Sequence, residues 1–175
     1  MSIEQLRAAL PSYAQDIKIN LGNVLDSDDA ALDQTTRYRI ALATAYATRN
    51  ADVYTAVEAQ ARGVGFSDGD VHAARLAATL MAMNNIYYRF LHLAQAPELQ
   101  KIPARLRMQG LANHGIDKAA FELMALGVSA INGCGMCIEA HTKEVQKHGI
   151  TLQGVQETAR IAAVIFATAQ ALSIN

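Results

Sequence analysis

The feature that most constrains this chain is a long alanine-rich run from Val71 to about Ala94, one of several such runs, with no period-two alternation anywhere. Ala and Leu lose little entropy in a helix, whereas β-branched and aromatic residues lose more. Apolar residues make up 51% of the chain but aromatics only 6%, so Ala, Leu, Ile and Met supply the apolar mass. That mixture predicts helices packed closely on one another, an all-α fold. A length of 175 residues predicts a single domain, 1–175.

Caps and breakers divide the chain further. Ser2-x-x-Gln5 reads as a capping box opening a short helix that ends near Pro11. After the polar stretch Asp26-Ser27-Asp28-Asp29, a helical run covers about Ala30 to Arg49, and Asn50 caps the next, Ala51 to about Ala61. Gln95 to Gly115, with Pro97, Pro103 and Gly110, reads as a looser connection between two halves. Asp117 caps a helix to about Ile131, Asn132-Gly133 is a turn signal, and a helix follows from Cys134 to about His148. Thr151 opens the last, to about Leu172. The second half, 116–175, thus carries both cysteines. Ala82–Asn85 echoes Ala130–Gly133, and Arg39-Ile40-Ala41 echoes Arg160-Ile161-Ala162. Two degenerate halves and chance likeness among alanine-rich helices both fit.

A net charge of −1 offers no basic footprint for nucleic acid or an anionic membrane. The polar start, Met1 to Gln5, lacks the basic and apolar stretches of a signal peptide. No segment has the roughly 18 uninterrupted apolar residues of a membrane span. A soluble, cytoplasmic protein is expected. There, a lone close pair of cysteines reads as catalytic or metal-binding rather than structural. The absence of a strand before that pair excludes a thioredoxin fold.

The segment from Gly133 to His141 carries the chemistry. The Asn132-Gly133 turn puts Cys134 at or near a helix N-terminus, where free N–H groups and the helix dipole favour a thiolate. Cys134 and Cys137, three positions apart, share one helix face within reach of a disulfide. His141 lies one turn beyond Cys137 on that face, placed to take its proton and return it. Upstream, Glu122 stands among apolar neighbours, Phe121 to Gly127. A carboxylate there must be paired or have a raised pKa, and either suits a group that orients a histidine.

Blander readings exist for each residue: His141 as a satisfied surface or core histidine, and Glu122 as a charge near a helix N-terminus. The cysteines could be small core residues, or Cys-x-x-Cys-x-x-x-His could supply three metal ligands with Glu122 as a fourth. His148 near a helix end complements the dipole, and His72, His92 and His114 have no evident chemical partner. Tyr87, Tyr88, Met81 and Met83 read as core or interface rather than a binding box.

At these residues the chain resembles the alkyl hydroperoxidase D (AhpD) family of the carboxymuconolactone decarboxylase-like superfamily. The likeness rests on Phe121-Glu122-Leu123, on Val128-Ser129-Ala130-Ile131-Asn132-Gly133-Cys134, and on Cys137 with Ala140-His141. It extends to Met83-Asn84-Asn85, Tyr88-Arg89 and the stretch Leu10-Pro11 to Lys18, and so covers most of the chain. The resemblance implies a helical bundle assembled as a homotrimer. It also implies an antioxidant thiol oxidoreductase that reduces alkyl hydroperoxides and re-reduces a partner peroxiredoxin of the AhpC type. No cofactor is expected to be bound. Electrons are expected from a dihydrolipoyl group on a 2-oxoacid dehydrogenase component, itself kept reduced by a flavin- and NADH-dependent enzyme. Carried over by position, Cys137 is the thiol activated by His141 and Glu122, and Cys134 is its disulfide partner. Met136 stands where such proteins can carry a histidine, so no proton transfer is assigned to that position. The alternatives are an acid–base decarboxylase using His141 and Glu122, or a redox-sensing or zinc-binding module.

Overall fold

In a computed structural model that describes residues 1–174, the chain folds into eight α-helices, with no strand among the described residues. They are α1 (Ile3–Ala9), α2 (Gln15–Asp26), α3 (Gln34–Thr48), α4 (Ala51–Gly63), α5 (Asp68–Leu93), α6 (Lys118–Asn132), α7 (Gly135–Lys147) and α8 (Leu152–Ser173). The all-α expectation stands, and none of these helices is long and apolar enough to cross a membrane.

The helix starts follow their caps. Ser2 and Gln5 form the expected capping box, and Asn50 accepts from the N–H groups of Asp52 and Val53. Asp117 accepts from Ala120 N–H and Thr151 from Gly154 N–H. Each satisfies donors that the first turn of a helix leaves without partners.

Two elements depart from the sequence reading. Helix α2 has no counterpart among the helices expected from sequence, because it carries Gly22 in mid-helix and buries only Leu21 and Leu25. Packing along α8 supplies what propensity lacks. Helix α3 begins at Gln34 rather than Ala30. The buried carboxylate of Glu157 on α8 accepts from Ala31 N–H at 2.7 Å and Leu32 N–H at 3.2 Å. Those donors are thereby held outside the helix, and Asp33 takes the cap.

Helices α3 and α6 form the centre. Their hydrophobic residues point in all directions because neighbours surround them: α3 lies against α4, α5, α6 and α8, and α6 against α3, α5, α7 and α8. A helix apolar all round is a buried helix. Close approach of the two requires Gly127, since a Cβ there would meet Thr44 Cγ2 at 3.0 Å and Ile40 Cγ2 at 3.2 Å. Lys118 at the start of α6 pairs with Glu144 on α7, and Lys147 joins the same carboxylate. These ammonium groups pull the Glu144 carboxyl down to about 2, so the clamp between the two helices stays charged well into acid. The connection between α5 and α6 carries only two short 3₁₀ turns, 97–101 and 109–111.

Candidate functional site

The site begins at the junction of α6 and α7. Gly133 adopts φ +64°, a left-handed conformation that a side chain would strain. Its N–H donates to Ala130 C=O, and Cys134 N–H donates to Ser129 C=O. This pair of bonds is a Schellman closure, which ends α6 and reverses the chain within two residues. Cys134 therefore becomes the N-cap of α7, as the Asn132-Gly133 signal predicted, and its Sγ accepts from Cys137 N–H at 3.4 Å.

A polar network from α5 braces this turn. Asn85 donates Nδ2 to Ser129 Oγ, and Asn132 donates Nδ2 to Asn85 Oδ1, both at 2.9 Å. Arg89 donates to the Asn132 carbonyl, one of the acceptors that the end of α6 leaves free. In the sequence, nothing in the chemistry of Asn85, Asn132, Ser129 and Arg89 marks them as holding the cysteines. The family likeness runs through all four, and the spacing Asn85-x-x-x-Arg89 sets two of them one helical turn apart.

Cys134 and Cys137 are joined as a disulfide, with Cα atoms 5.3 Å apart. Their environments differ. Cys134 is fully buried, while Cys137 is 6% exposed and lines a cavity. His141, one turn along α7, lines the same cavity, and its Nδ1 lies 2.7 Å from Glu122 Oε2 on α6. An ionised carboxylate only accepts, so Nδ1 carries the hydrogen and Nε2 is left to take a proton. The four residues singled out in the sequence are thus brought into one place. Among the described residues, no three His, Cys, Asp or Glu side chains converge as a metal ion requires.

The cavity measures about 290 Å³. Helix α5 contributes Met81, Asn84 and Tyr88, the connection contributes Met108 and Leu111, and α7 contributes Met136 and Ala140 beside Cys137 and His141. Met136, between the cysteines, is therefore apolar wall. Met81 is buried in the core as expected, yet it and Tyr88 both line the cavity, where the sequence is expected to hold no binding box. The remaining histidines stay outside the cavity. His114 stacks on Phe121 at 4.4 Å, and His148 ends α7 with Nε2 3.6 Å from Glu144.

What this arrangement can do follows from its parts. A disulfide sulfur faces an apolar cavity, with a carboxylate-oriented imidazole beside it and the partner sulfur capping a helix. Such a site suits thiol–disulfide exchange, in which one sulfur is attacked and the other leaves as a thiolate favoured by the helix dipole.

Known proteins resemble the chain over its C-terminal part and over nearly its whole length. Residues 97–174 match the carboxymuconolactone decarboxylase family. The chain is 47% identical over 165 residues to the alkyl hydroperoxide reductase AhpD of Rhodopseudomonas palustris strain BisA53, covering 94% of this chain and 90% of that protein. It is 47% identical over 172 residues to the protein of that name from Rhodospirillum centenum, covering 98% and 91%. The likeness to that of Hyphomonas neptunium is 43% over 173 residues, covering 99% and 94%.

Proposed function

The chain belongs to the alkyl hydroperoxide reductase AhpD family, and from that premise we propose that it reduces organic hydroperoxides through a Cys134–Cys137 dithiol–disulfide cycle. The family places it among oxidoreductases. The observation that carries the finer reading is the 2.7 Å Glu122–His141 pair on the cavity that Cys137, and not Cys134, lines.

In the reduced protein His141 Nε2 takes the Cys137 proton, while Glu122 holds the ring in the required tautomer. The thiolate attacks the distal peroxide oxygen, and the O–O pair leaves on the proximal oxygen, which takes the proton back from His141 as an alcohol forms. Cys137 is left as a sulfenic acid. Cys134 displaces water from it, and the disulfide closes. Two electrons pass from the thiols to the hydroperoxide.

Regeneration is proposed to come from a dihydrolipoyl group carried by a 2-oxoacid dehydrogenase component. One of its thiolates attacks Cys137, the accessible sulfur, and Cys134 leaves as a thiolate at the N-terminus of α7. The second lipoyl thiol then resolves the mixed disulfide. The same dithiol is proposed to re-reduce a peroxiredoxin of the AhpC type, with the protein acting in the cytoplasm as a homotrimer. Decarboxylation by His141 and Glu122 alone would leave the sulfur pair without a task.

A reconstituted assay tests the cycle: lipoamide, its dehydrogenase, NADH and cumene hydroperoxide, with and without an AhpC-type peroxiredoxin. NADH consumption that depends on this protein and on hydroperoxide is expected. Light scattering is expected to return three times the chain mass.

A further inference from the structure

Asn84 and Asn85 are adjacent on α5 and both are buried, yet the fold treats them oppositely. The amide of Asn85 is consumed by Ser129 and Asn132 in bracing the turn before Cys134. Asn84 is 4% exposed, and among the described residues its Oδ1 has no hydrogen-bond partner. Three residues after Met81 and four before Tyr88, it shares their helix face and lines the cavity of Cys137 and His141.

A buried amide oxygen without a partner destabilises a protein, and a position that only had to pack would carry an apolar residue. The equivalent place in α8, which starts 84 residues after α5, is Thr168. It too is buried, but its hydroxyl donates to Val164 C=O at 2.8 Å. Packing at this register does not demand a free acceptor.

Besides the half-buried Tyr88, the cavity thus offers apolar walls, one buried acceptor without a partner and one proton-carrying imidazole. A hydroperoxide, R–O–O–H, matches all three: its alkyl part fits the walls, its terminal O–H donates, and its proximal oxygen must be protonated as it leaves. A thiol is a poor match for the acceptor, because S–H is a weak donor and a thiolate donates nothing.

We propose that Asn84 is the hydroperoxide-binding residue of this site, its Oδ1 accepting from the terminal O–H and so directing the distal oxygen at Cys137 Sγ. This rests on the hydroperoxide-reducing cycle described above and names the residue that reads the substrate's polar end. The bond order of events is unchanged: S–O forms, O–O breaks with its electron pair on the proximal oxygen, and that oxygen takes the proton held by His141. The hydrogen of the O–H that bonds to Asn84 Oδ1 never leaves the distal oxygen, which becomes the sulfenic hydroxyl.

Two half-reactions separate this role from a structural one. Asn84→Leu keeps the bulk and removes the acceptor, and Asn84→Ala removes both while leaving the cavity open. Stopped-flow thiol loss in the pre-reduced proteins gives the oxidation rate, and reduction of the disulfide by dihydrolipoamide gives the return rate. In both variants oxidation is expected to slow at least tenfold, by the same factor with cumene and with tert-butyl hydroperoxide, while reduction stays within twofold of the parent. Parental oxidation rates overturn the proposal. So does an equal fall in both half-reactions, which marks a structural role, or a loss confined to the bulkier hydroperoxide, which marks altered cavity shape. A parent protein that accepts electrons from dihydrolipoamide but is inert to hydroperoxide overturns the cycle itself, and the assignment of Asn84 with it.

Discussion

Helices α3, α4 and α5 start at Gln34, Ala51 and Asp68, and α6, α7 and α8 start at Lys118, Gly135 and Leu152, each 84 residues later. The first two pairs also match in length, 15 and 13 residues. Caps fall in register: Asp33 with Asp117, Asn50 with Cys134, and Ser67 with Thr151. Left-handed residues do too, Arg49 at φ +61° with Gly133 at +64°, and Gly65 at +100° with Gly149 at +84°. The packing is reciprocal, since α3 lies on α8 as α6 lies on α5. At the register of Glu122, Cys137 and His141, the first set carries Tyr38, Val53 and Val57, all essentially unexposed. One helical frame therefore supports either a hydrocarbon core or a reactive row. Helix α1 packs against α4, whereas α7 contributes a wall of the cavity that Met108 and Leu111 help to line.

The comparison breaks most sharply at the cysteines. Cys137→Ser is expected to abolish hydroperoxide turnover outright, while Cys134→Ser reacts once and stops with a sulfenic acid on Cys137. Mass spectrometry of the peroxide-treated variants distinguishes the two. Sustained turnover by Cys134→Ser would remove that sulfur from the cycle.

Next in size is the seam between the two sets. Gly127→Val places two γ-carbons where even a Cβ would meet Thr44 and Ile40 at 3.0 and 3.2 Å. Overpacking of this kind costs roughly 1–3 kcal/mol. Urea denaturation is expected to show a lowered midpoint, and an unchanged midpoint would mean that α3 and α6 part easily.

Glu122→Gln, nearly isosteric, is expected to slow Cys137 oxidation at least tenfold at neutral pH, about 1.4 kcal/mol of barrier. An ordinary thiol ionises near pH 8.5, so the thiolate forms unaided as pH rises and the deficit should shrink in alkali. Superimposable rate profiles from pH 6 to 10 would end the proposed relay. The matching change in the first set, Tyr38→Phe, removes a 3.3 Å hydrogen bond to Asp26 and should leave those rates untouched. Burial and the nearby Asp26 carboxylate push the Tyr38 hydroxyl up to about 12, so it plays no acid–base part at these pH values.

The smallest effect comes from copying the sulfur pair into the first set. The double variant Asn50→Cys and Val53→Cys places a second pair on the same kind of turn and cap, and mild oxidant should close a second disulfide. Losing the Asn50 cap costs roughly 1 kcal/mol. Without a histidine, a carboxylate or a cavity at that register, the new thiols should react with hydroperoxide no faster than a free cysteine. Faster reaction would show that the turn alone activates a thiol.

Much was legible in the sequence because it depends on neighbours along the chain. Capping pairs, the Asn132-Gly133 turn and the one-turn spacing of Cys134, Cys137 and His141 are set by local backbone geometry, so the all-α class and the reactive helix followed from them. The repeat was legible only as a suspicion: the short echoes at Ala82–Asn85 and Arg39–Ala41 do not share the 84-residue offset that the helices obey. Packing preserves register and caps, not letters. What tertiary structure decided rests on contacts between distant residues. Glu157 shortens α3 from 126 residues away, α8 stabilises a weak α2, and Glu122 meets His141 only because α6 and α7 pack side by side. The opposite fates of Asn84 and Asn85, identical in type and adjacent in sequence, were settled in the same way. A buried amide is satisfied or orphaned by whatever the rest of the chain brings to it, and local sequence carries no record of that.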